Sequence, residues 1–351
     1  MTRPLDFRSD TVTRPTPGML AAMSAARVGD DVFDDDPSLH ELQARVADIL
    51  GKEAALFMPS GTMSNQIGLR LHCQPGDEFI CDSGCHIYNY EQGAYAQLSG
   101  LAIRTLPGEY GVLHPAQLTG LVRPENDHCV RTRLLSLENT HNRGGGKVWP
   151  LVALTDCVAW ARQNGLATHL DGARLFNAVV ASGISARDWA SHFDTVSICF
   201  SKGLGCPVGS ALAGPRDLIK QARRHRKLFG GAMRQAGVLA AAATYALEHH
   251  IDRLAQDHEH ARQLAEIVAT LPGCRLHPPR VETNIVIFEI DPVLATGAEI
   301  SRLCGEQGLL VLSLGPQMIR AVTHLDVTAE DTAAAGRILQ NVWRQLAARP
   351  I

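Results

Sequence analysis

The stretch Ser197-Ile198-Cys199-Phe200-Ser201-Lys202-Gly203-Leu204-Gly205 reads as a buried strand that ends in a lysine and turns at once on glycine. A surface lysine capping a strand is the plain alternative. The apolar run before Lys202 and the Gly203-x-Gly205 turn after it instead suit an amine held at the edge of a core. Burial there favours the neutral amine, and a neutral lysine can form a Schiff base with an aldehyde cofactor. Thr168-His169-Leu170-Asp171-Gly172-Ala173-Arg174 supplies the complementary group, a carboxylate at the end of a preceding strand. Such a carboxylate can hold a protonated pyridine nitrogen, and amine plus carboxylate is the pair that pyridoxal phosphate requires. Unit charges about 4 Å apart attract by roughly 4 kcal/mol at an effective dielectric of 20, which corresponds to about 3 pKa units. Asparagine could hydrogen-bond the ring but could not supply that charge. Taken alone, Asp171 also fits the N-cap of a helix beginning near Ala173.

Working outward, apolar strands alternate with helices. Leu39 to Leu50 has helical spacing and stops at Gly51, a helix C-cap. Ala54–Met58 leads into Pro59-Ser60-Gly61-Thr62 and a second helical pattern to about His72. Strands are expected at Phe79–Cys81, Leu134–Glu138, Ala167–Leu170 and Thr195–Phe200, and a helix at Cys157–Asn164. This pattern predicts an α/β fold with a mostly parallel, doubly covered sheet, whose ligands sit beyond the carboxyl ends of the strands. Asp171 and Lys202 both fall there, and the backbone N–H groups of Gly61 and Thr62 at a helix start can cradle a phosphate. From about His249 the texture changes to a charged helix (Ile251 to Thr270), a strand (Asn284 to Ile290), a helix (Ala298 to Gln307), a strand (Leu309 to Leu312) and a last helix. We therefore expect an N-terminal segment, 1–45, joining a smaller C-terminal α/β domain, 249–351, with the large cofactor-binding domain at 46–248.

The bulk properties exclude several classes. The chain has 351 residues, 33 Lys+Arg against 36 Asp+Glu, and a net charge of −3, which gives no basic surface for nucleic acid or anionic membrane. Arg223-Arg224-His225-Arg226-Lys227 reads as a solvated helix face, with a phosphate contact open to it because Gly230-Gly231 follows. Histidines 249, 250, 258 and 260 read as solvated. Nine cysteines without framework spacing fit a reduced, cytoplasmic chain. Met1-Thr2-Arg3-Pro4-Leu5-Asp6 predicts no secretory leader, and no window predicts a membrane span. His86 can stack on a cofactor ring. It could also join Cys81 and Cys85 on a metal, but that set lacks a fourth ligand, and no metal is expected.

The order of motifs carries a resemblance. Arg8-Ser9-Asp10-Thr11-Val12-Thr13, Gly29-Asp30-Asp31-Val32, Pro59-Ser60-Gly61-Thr62-Met63-Ser64-Asn65 and Leu137-Glu138-Asn139-Thr140-His141-Asn142 come first. Asp171-Gly172-Ala173-Arg174, Ser201-Lys202-Gly203-Leu204-Gly205, Gly230-Gly231-Ala232-Met233-Arg234-Gln235 and Arg320-Ala321-Val322-Thr323-His324-Leu325-Asp326-Val327 follow. Over nearly its whole length the chain resembles the fold-type I pyridoxal-phosphate enzymes and, within them, the low-specificity L-threonine aldolases. The resemblance implies that Lys202 carries the cofactor, Asp171 pairs the ring nitrogen, His86 stacks on the ring, and Gly61 and Thr62 hold the phosphate, with Lys227 reaching in from a neighbouring subunit. Arg174 would contact the cofactor 3′ oxygen or the substrate carboxylate, Ser9 and Arg320 would clamp that carboxylate, and His128 would sit near the substrate β-hydroxyl. His128, His86 and an ordered water are the candidate bases, with His128 preferred. The implied partner is a small amino acid, and the implied assembly is a homotetramer, a dimer of dimers with sites at the dimer interface.

Two features depart from the family. Phe33 and Asp34 stand where many relatives have Tyr and Gly, and Asn142–Lys147 is the longer form of a variable loop. Competing chemistries on the same fold are hydroxymethyl transfer to a folate, β-elimination and aminotransfer. A cofactor-binding module without turnover is the reading from a different class.

Overall fold

A computed structural model describes residues 3–348; Met1 and Thr2, which open the segment read for a leader, lie outside them. Its centre is a seven-stranded sheet. Across the sheet the strands run Ala54–Met58, Ser210–Gly214, Thr195–Cys199, Ala167–Gly172, Thr132–Glu138, Glu78–Asp82 and Ala102–Leu106. The strand Ser210–Gly214 pairs antiparallel on both sides; every other pairing in the sheet is parallel. The strands Ala54–Met58 and Thr195–Cys199 therefore still point the same way.

Side-chain alternation explains the double cover. Leu56, Met58 and Leu212 pack with Ile67, Ile219 and Ala222 of helices Gly61–His72 and Arg216–Leu228. Ala55, Phe57, Ala211 and Ala213 face the opposite way, into the main core with Leu39, Leu42 and Val46 of helix Pro37–Leu50. That helix starts on Asp36, whose carboxylate accepts from Leu39 N–H, and ends on Gly51 at φ 62°.

A second core forms around an antiparallel sheet of Leu312–Gly315, Met318–Val322, Ile285–Ile290 and Cys274–Leu276. Helices Leu254–Ala269, Gly297–Glu306 and Ala329–Ala347 contribute to it. The expected strand Leu309–Leu312 is broken: Leu309–Leu310 pairs in parallel with Leu5–Asp6, and Leu312 starts a separate strand. Phe7 packs in this core, while Met19 packs in the first.

Two sequence expectations are corrected. His250 and His258 are buried rather than solvated: His250 Nδ1 lies 2.7 Å from Leu204 O, and His258 Nε2 lies 3.1 Å from Asn177 Nδ2. Arg226 is not on a solvated face either. It is 1% exposed, its Nη1 donates to Phe57 O at 2.8 Å, and its Nη2 donates to the buried Asp31. Asp34 adopts φ 62°, the conformation that favours glycine. Its carboxylate meets His40 Nε2 and Arg223 Nη1, each at 3.2 Å, which gives a non-glycine residue a reason to stand there. Among the described residues no helix is long and apolar enough to cross a membrane.

Candidate active site at the carboxyl ends of the strands

Asp171 is the fifth residue of strand Ala167–Gly172, and it pairs in register with Ser197 of Thr195–Cys199. That register brings Asp171 and the Lys202 turn to the same end of the sheet. The turn is closed by Gly205 N–H donating to Lys202 O at 2.8 Å. The Lys202 amine makes no ion pair among the described residues, and its charge bears on Asp10, His86 and Cys199. Helix Gly61–His72 begins beside it. Ser60 Oγ caps Met63 N–H at 3.2 Å, leaving the first N–H groups for an anion. A Cβ on Gly61 would lie 2.7 Å from Cys199 Sγ, so only glycine lets the helix start approach the lysine strand this closely.

Asp171 is 1% exposed, with Oδ2 accepting from Asn65 Nδ2 at 2.9 Å and Oδ1 from Ala173 N at 3.1 Å. It is not the helix N-cap. The helix begins at Leu175, and the cap position is Arg174. His86 starts a short helix after strand Glu78–Asp82, and its N–H donates to Glu138 Oε2 at 2.6 Å. Its Nδ1 lies 2.8 Å from Oε1 of the buried Glu91. Burial opposes charge on this imidazole, but the Glu91 hydrogen bond and the Asp171 charge outweigh it and raise the pKa above the ordinary 6.5. His86, Glu91 and Asp171 converge, with donor atoms within 4.8 Å of one another. Cys81 and Cys85 instead bury among Phe79, Ile87 and Leu101.

Arg320, on strand Met318–Val322, donates from Nη1 to Asn142 Oδ1 at 3.0 Å and from Nη2 to Arg8 O at 3.1 Å. Its Nε is buried without a partner among the described residues. Arg174 reaches the same Asn142 Oδ1 from Nη1 at 3.3 Å, but its Nε and Nη2 are committed to Asp10 at 2.7 and 2.8 Å. Two guanidinium groups thus meet on one amide oxygen, and burial together with the Arg174 charge pulls the Arg320 pKa below its ordinary value. This is a site that gains from an anion. Ser9 is adjacent in sequence to the Arg8 carbonyl. Its Oγ accepts from Thr11 N–H at 3.2 Å and keeps its own hydrogen available.

His128 is not brought to this site within one chain. It lies in an exposed loop that leads into strand Thr132–Glu138 at the amino end of the sheet, where Arg123 pairs with Glu78. A strand of that length puts it about 20 Å from the carboxyl ends. Within one chain the site therefore holds His86 and not His128, the base preferred in the sequence reading. Lys227 is exposed and lines a basic cavity of about 540 Å³ with Asp31, Lys220, Arg223 and Arg224. The sequence reading assigned no role to Glu91, Asn65, Asn142 or Asp10. Each is a polar residue with a long-range partner, and nothing local marks such a pairing.

The residues present suit pyridoxal phosphate. An unpaired amine, a buried carboxylate, a braced imidazole, a helix start and an anion site with an unsatisfied buried N–H share one end of the sheet.

A family model described as beta-eliminating lyase matches residues 6–291. The low-specificity L-threonine aldolase of Escherichia coli O157:H7 is 43% identical over 98% of this chain and all of its own length. A probable low-specificity L-threonine aldolase of Arabidopsis thaliana is 42% identical over 94% of each chain. The threonine aldolase structure from Leishmania major superposes with a TM-score of 0.83 at 22% identity, covering 97% of this chain and 100% of that one.

Proposed function

The chain belongs to the low-specificity L-threonine aldolase family, and from that membership and the geometry above we infer a pyridoxal-phosphate enzyme that cleaves L-threonine and L-allo-threonine to glycine and acetaldehyde. The observation that supports the reading is the parallel pairing of Asp171 with Ser197, which brings Asp171 and the Lys202 turn to the same carboxyl end of the sheet. When bound, pyridoxal phosphate supplies an aldehyde for the substrate amine and a ring that accepts the electron pair of the breaking Cα–Cβ bond.

The rest is the work of this chain's side chains. Lys202 offers the amine that would hold the cofactor. The Gly61 and Thr62 N–H groups hold the phosphate, and Lys227 of a second copy adds charge. Asp171 would hold the ring nitrogen protonated, and His86, which converges with it, would stack on the ring. Arg320 grips the substrate carboxylate through its free Nε and its Nη groups, with Ser9 alongside. That grip sets the bond to Cβ. Arg174 takes a lesser part, because Asp10 occupies two of its nitrogens.

His86, oriented by Glu91, takes the β-hydroxyl proton. One imidazole holding the hydroxyl without further contacts leaves both Cβ epimers, and other β-hydroxy amino acids, as substrates. We place the enzyme in the cytoplasm as a homotetramer with sites at the dimer interface.

Two results test this. Arg320→Ala should raise KM for L-threonine by about 10- to 100-fold, the worth of a charge-assisted hydrogen bond, and Arg320→Lys should recover only part of it. Steady-state kinetics on both epimers reads this out, and an unchanged KM removes Arg320 from the carboxylate site. The base must also be neutral to act. Because the His86 pKa is raised, the acid limb of kcat/KM should have its midpoint above 6.5 rather than below it. A limb that stays in place in His86→Phe assigns it to another group.

A further inference from the structure

The hydrogen bonds behind Asp171 do not stop at Asn65. Asn65 Nδ2 lies 2.9 Å from Asp171 Oδ2 and 2.9 Å from Glu91 Oε1, so both amide hydrogens go to carboxylates. Its Oδ1 faces His169 Nε2 at 3.3 Å. His169 Nδ1 lies 2.9 Å from Thr195 Oγ1, and the same hydroxyl lies 2.9 Å from His72 Nε2. The spacing is geometric. His169 and Asp171 are two apart on one strand and share its face, and Asn65 and His72 are two helical turns apart on one helix.

One proton arrangement satisfies every contact. Asn65 gives both hydrogens away, so its oxygen must accept, and His169 must carry its proton on Nε2. Nδ1 is then an acceptor, which commits the Thr195 hydroxyl hydrogen to it, and His72 must donate to the Thr195 oxygen. Every bond donates toward Asp171, so the dipoles add along the chain and stabilise negative charge at its end. Burial keeps His169 neutral, with its pKa pushed down to about 3. The fold makes room for this ring: a Cβ on Gly68, inside helix Gly61–His72, would lie 2.4 Å from His169 Cε1.

We propose that His169, oriented by Thr195 and His72, is a positioning residue that locks the Asn65 amide and through it aims the Asp171 carboxylate at the cofactor ring nitrogen. The proposal rests on the reading of Asp171 given above. Without the His169 donor, the Asn65 amide can turn over and present its oxygen to the two carboxylates.

The test is a double-mutant cycle read as the dissociation constant of pyridoxal phosphate, titrated into folded apoenzyme. His169→Phe should weaken binding by about 10- to 100-fold, the usual effect of losing an outer hydrogen-bond partner. His169→Gln, whose amide can donate from the Nε2 position, should stay within about 3-fold of wild type. In an Asp171→Asn background, His169→Phe should add less than about 2-fold, because its route of action is gone. Thr195→Val carries the same test if His169→Phe does not fold, with Thr195→Ser as its rescue. Equal effects in both backgrounds, or Gln as harmful as Phe, would show a purely structural role and overturn the proposal. If Asp171→Asn alone binds cofactor and turns over like wild type, the reading of Asp171 falls instead.

Discussion

Asp171→Asn should lower kcat/KM for L-threonine by about three orders of magnitude, the equivalent of the roughly 4 kcal/mol that opposite charges about 4 Å apart contribute at an effective dielectric of 20. The substitution keeps the side chain's shape and removes its charge. It also spoils the local bonding. Asp171 now accepts from Asn65 Nδ2 and from Ala173 N–H. An asparagine has one acceptor oxygen, so its amide nitrogen must face one of these donors. Turnover assayed by acetaldehyde release, with cofactor in excess, separates lost chemistry from lost binding. A loss of less than tenfold at saturating cofactor would mean that the ring nitrogen is held by something else.

The second large effect concerns stability. Asp10 is completely buried between the two cores and accepts from Arg174 through both oxygens and from Asn284 Nδ2 at 3.3 Å. Burial alone would raise its pKa, but the Arg174 charge and hydrogen bonds reverse this and bring it down to about 2. Asp10→Ala leaves a buried guanidinium without its partner, a change that costs about 3–5 kcal/mol. Denaturant melts should show it, together with a raised KM, because Arg174 and Arg320 share Asn142.

The pH dependence has a definite sign. The folded pKa lies below the ordinary 3.8, so the contribution is complete above 3.8 and is lost as pH falls toward about 2. It amounts to about 2 kcal/mol at 1.36 kcal/mol per unit. The wild-type melting temperature should fall more steeply over that window than that of Asp10→Asn. Parallel slopes would contradict the assignment.

What could be read from the sequence was what local chemistry encodes. The helix before Gly51, the strand before Lys202 and the strand before Asp171 each carry their own pattern of apolar spacing and turn residues. Their positions past strand ends put Asp171 and Lys202 at one end of the sheet, which is where the structure has them. The strand Ser210–Gly214 escaped notice because Ser-Ala-Leu-Ala-Gly has neither β-branched residues nor alternation.

The polar scaffold escaped for a different reason. Asp10 meets Arg174, and Asn65 meets Asp171, only after the sheet has assembled, so no spacing announces either pair. The place of His128 was hidden in the same way: a histidine close to a strand in sequence can lie at either end of it, and the loop before Thr132 lies at the amino end. Arg226 and His258 show the converse, since charge-rich helices read as solvated can still turn one polar residue inward to a buried partner.

The most direct test of the central claim is the visible spectrum of purified protein with pyridoxal phosphate, before and after L-threonine, with acetaldehyde followed by a coupled dehydrogenase, in wild type and in Lys202→Ala. The account predicts a cofactor band in wild type that Lys202→Ala lacks, and acetaldehyde from wild type alone. Acetaldehyde from Lys202→Ala at the wild-type rate, or a wild-type band with no acetaldehyde from either epimer of threonine, would contradict it.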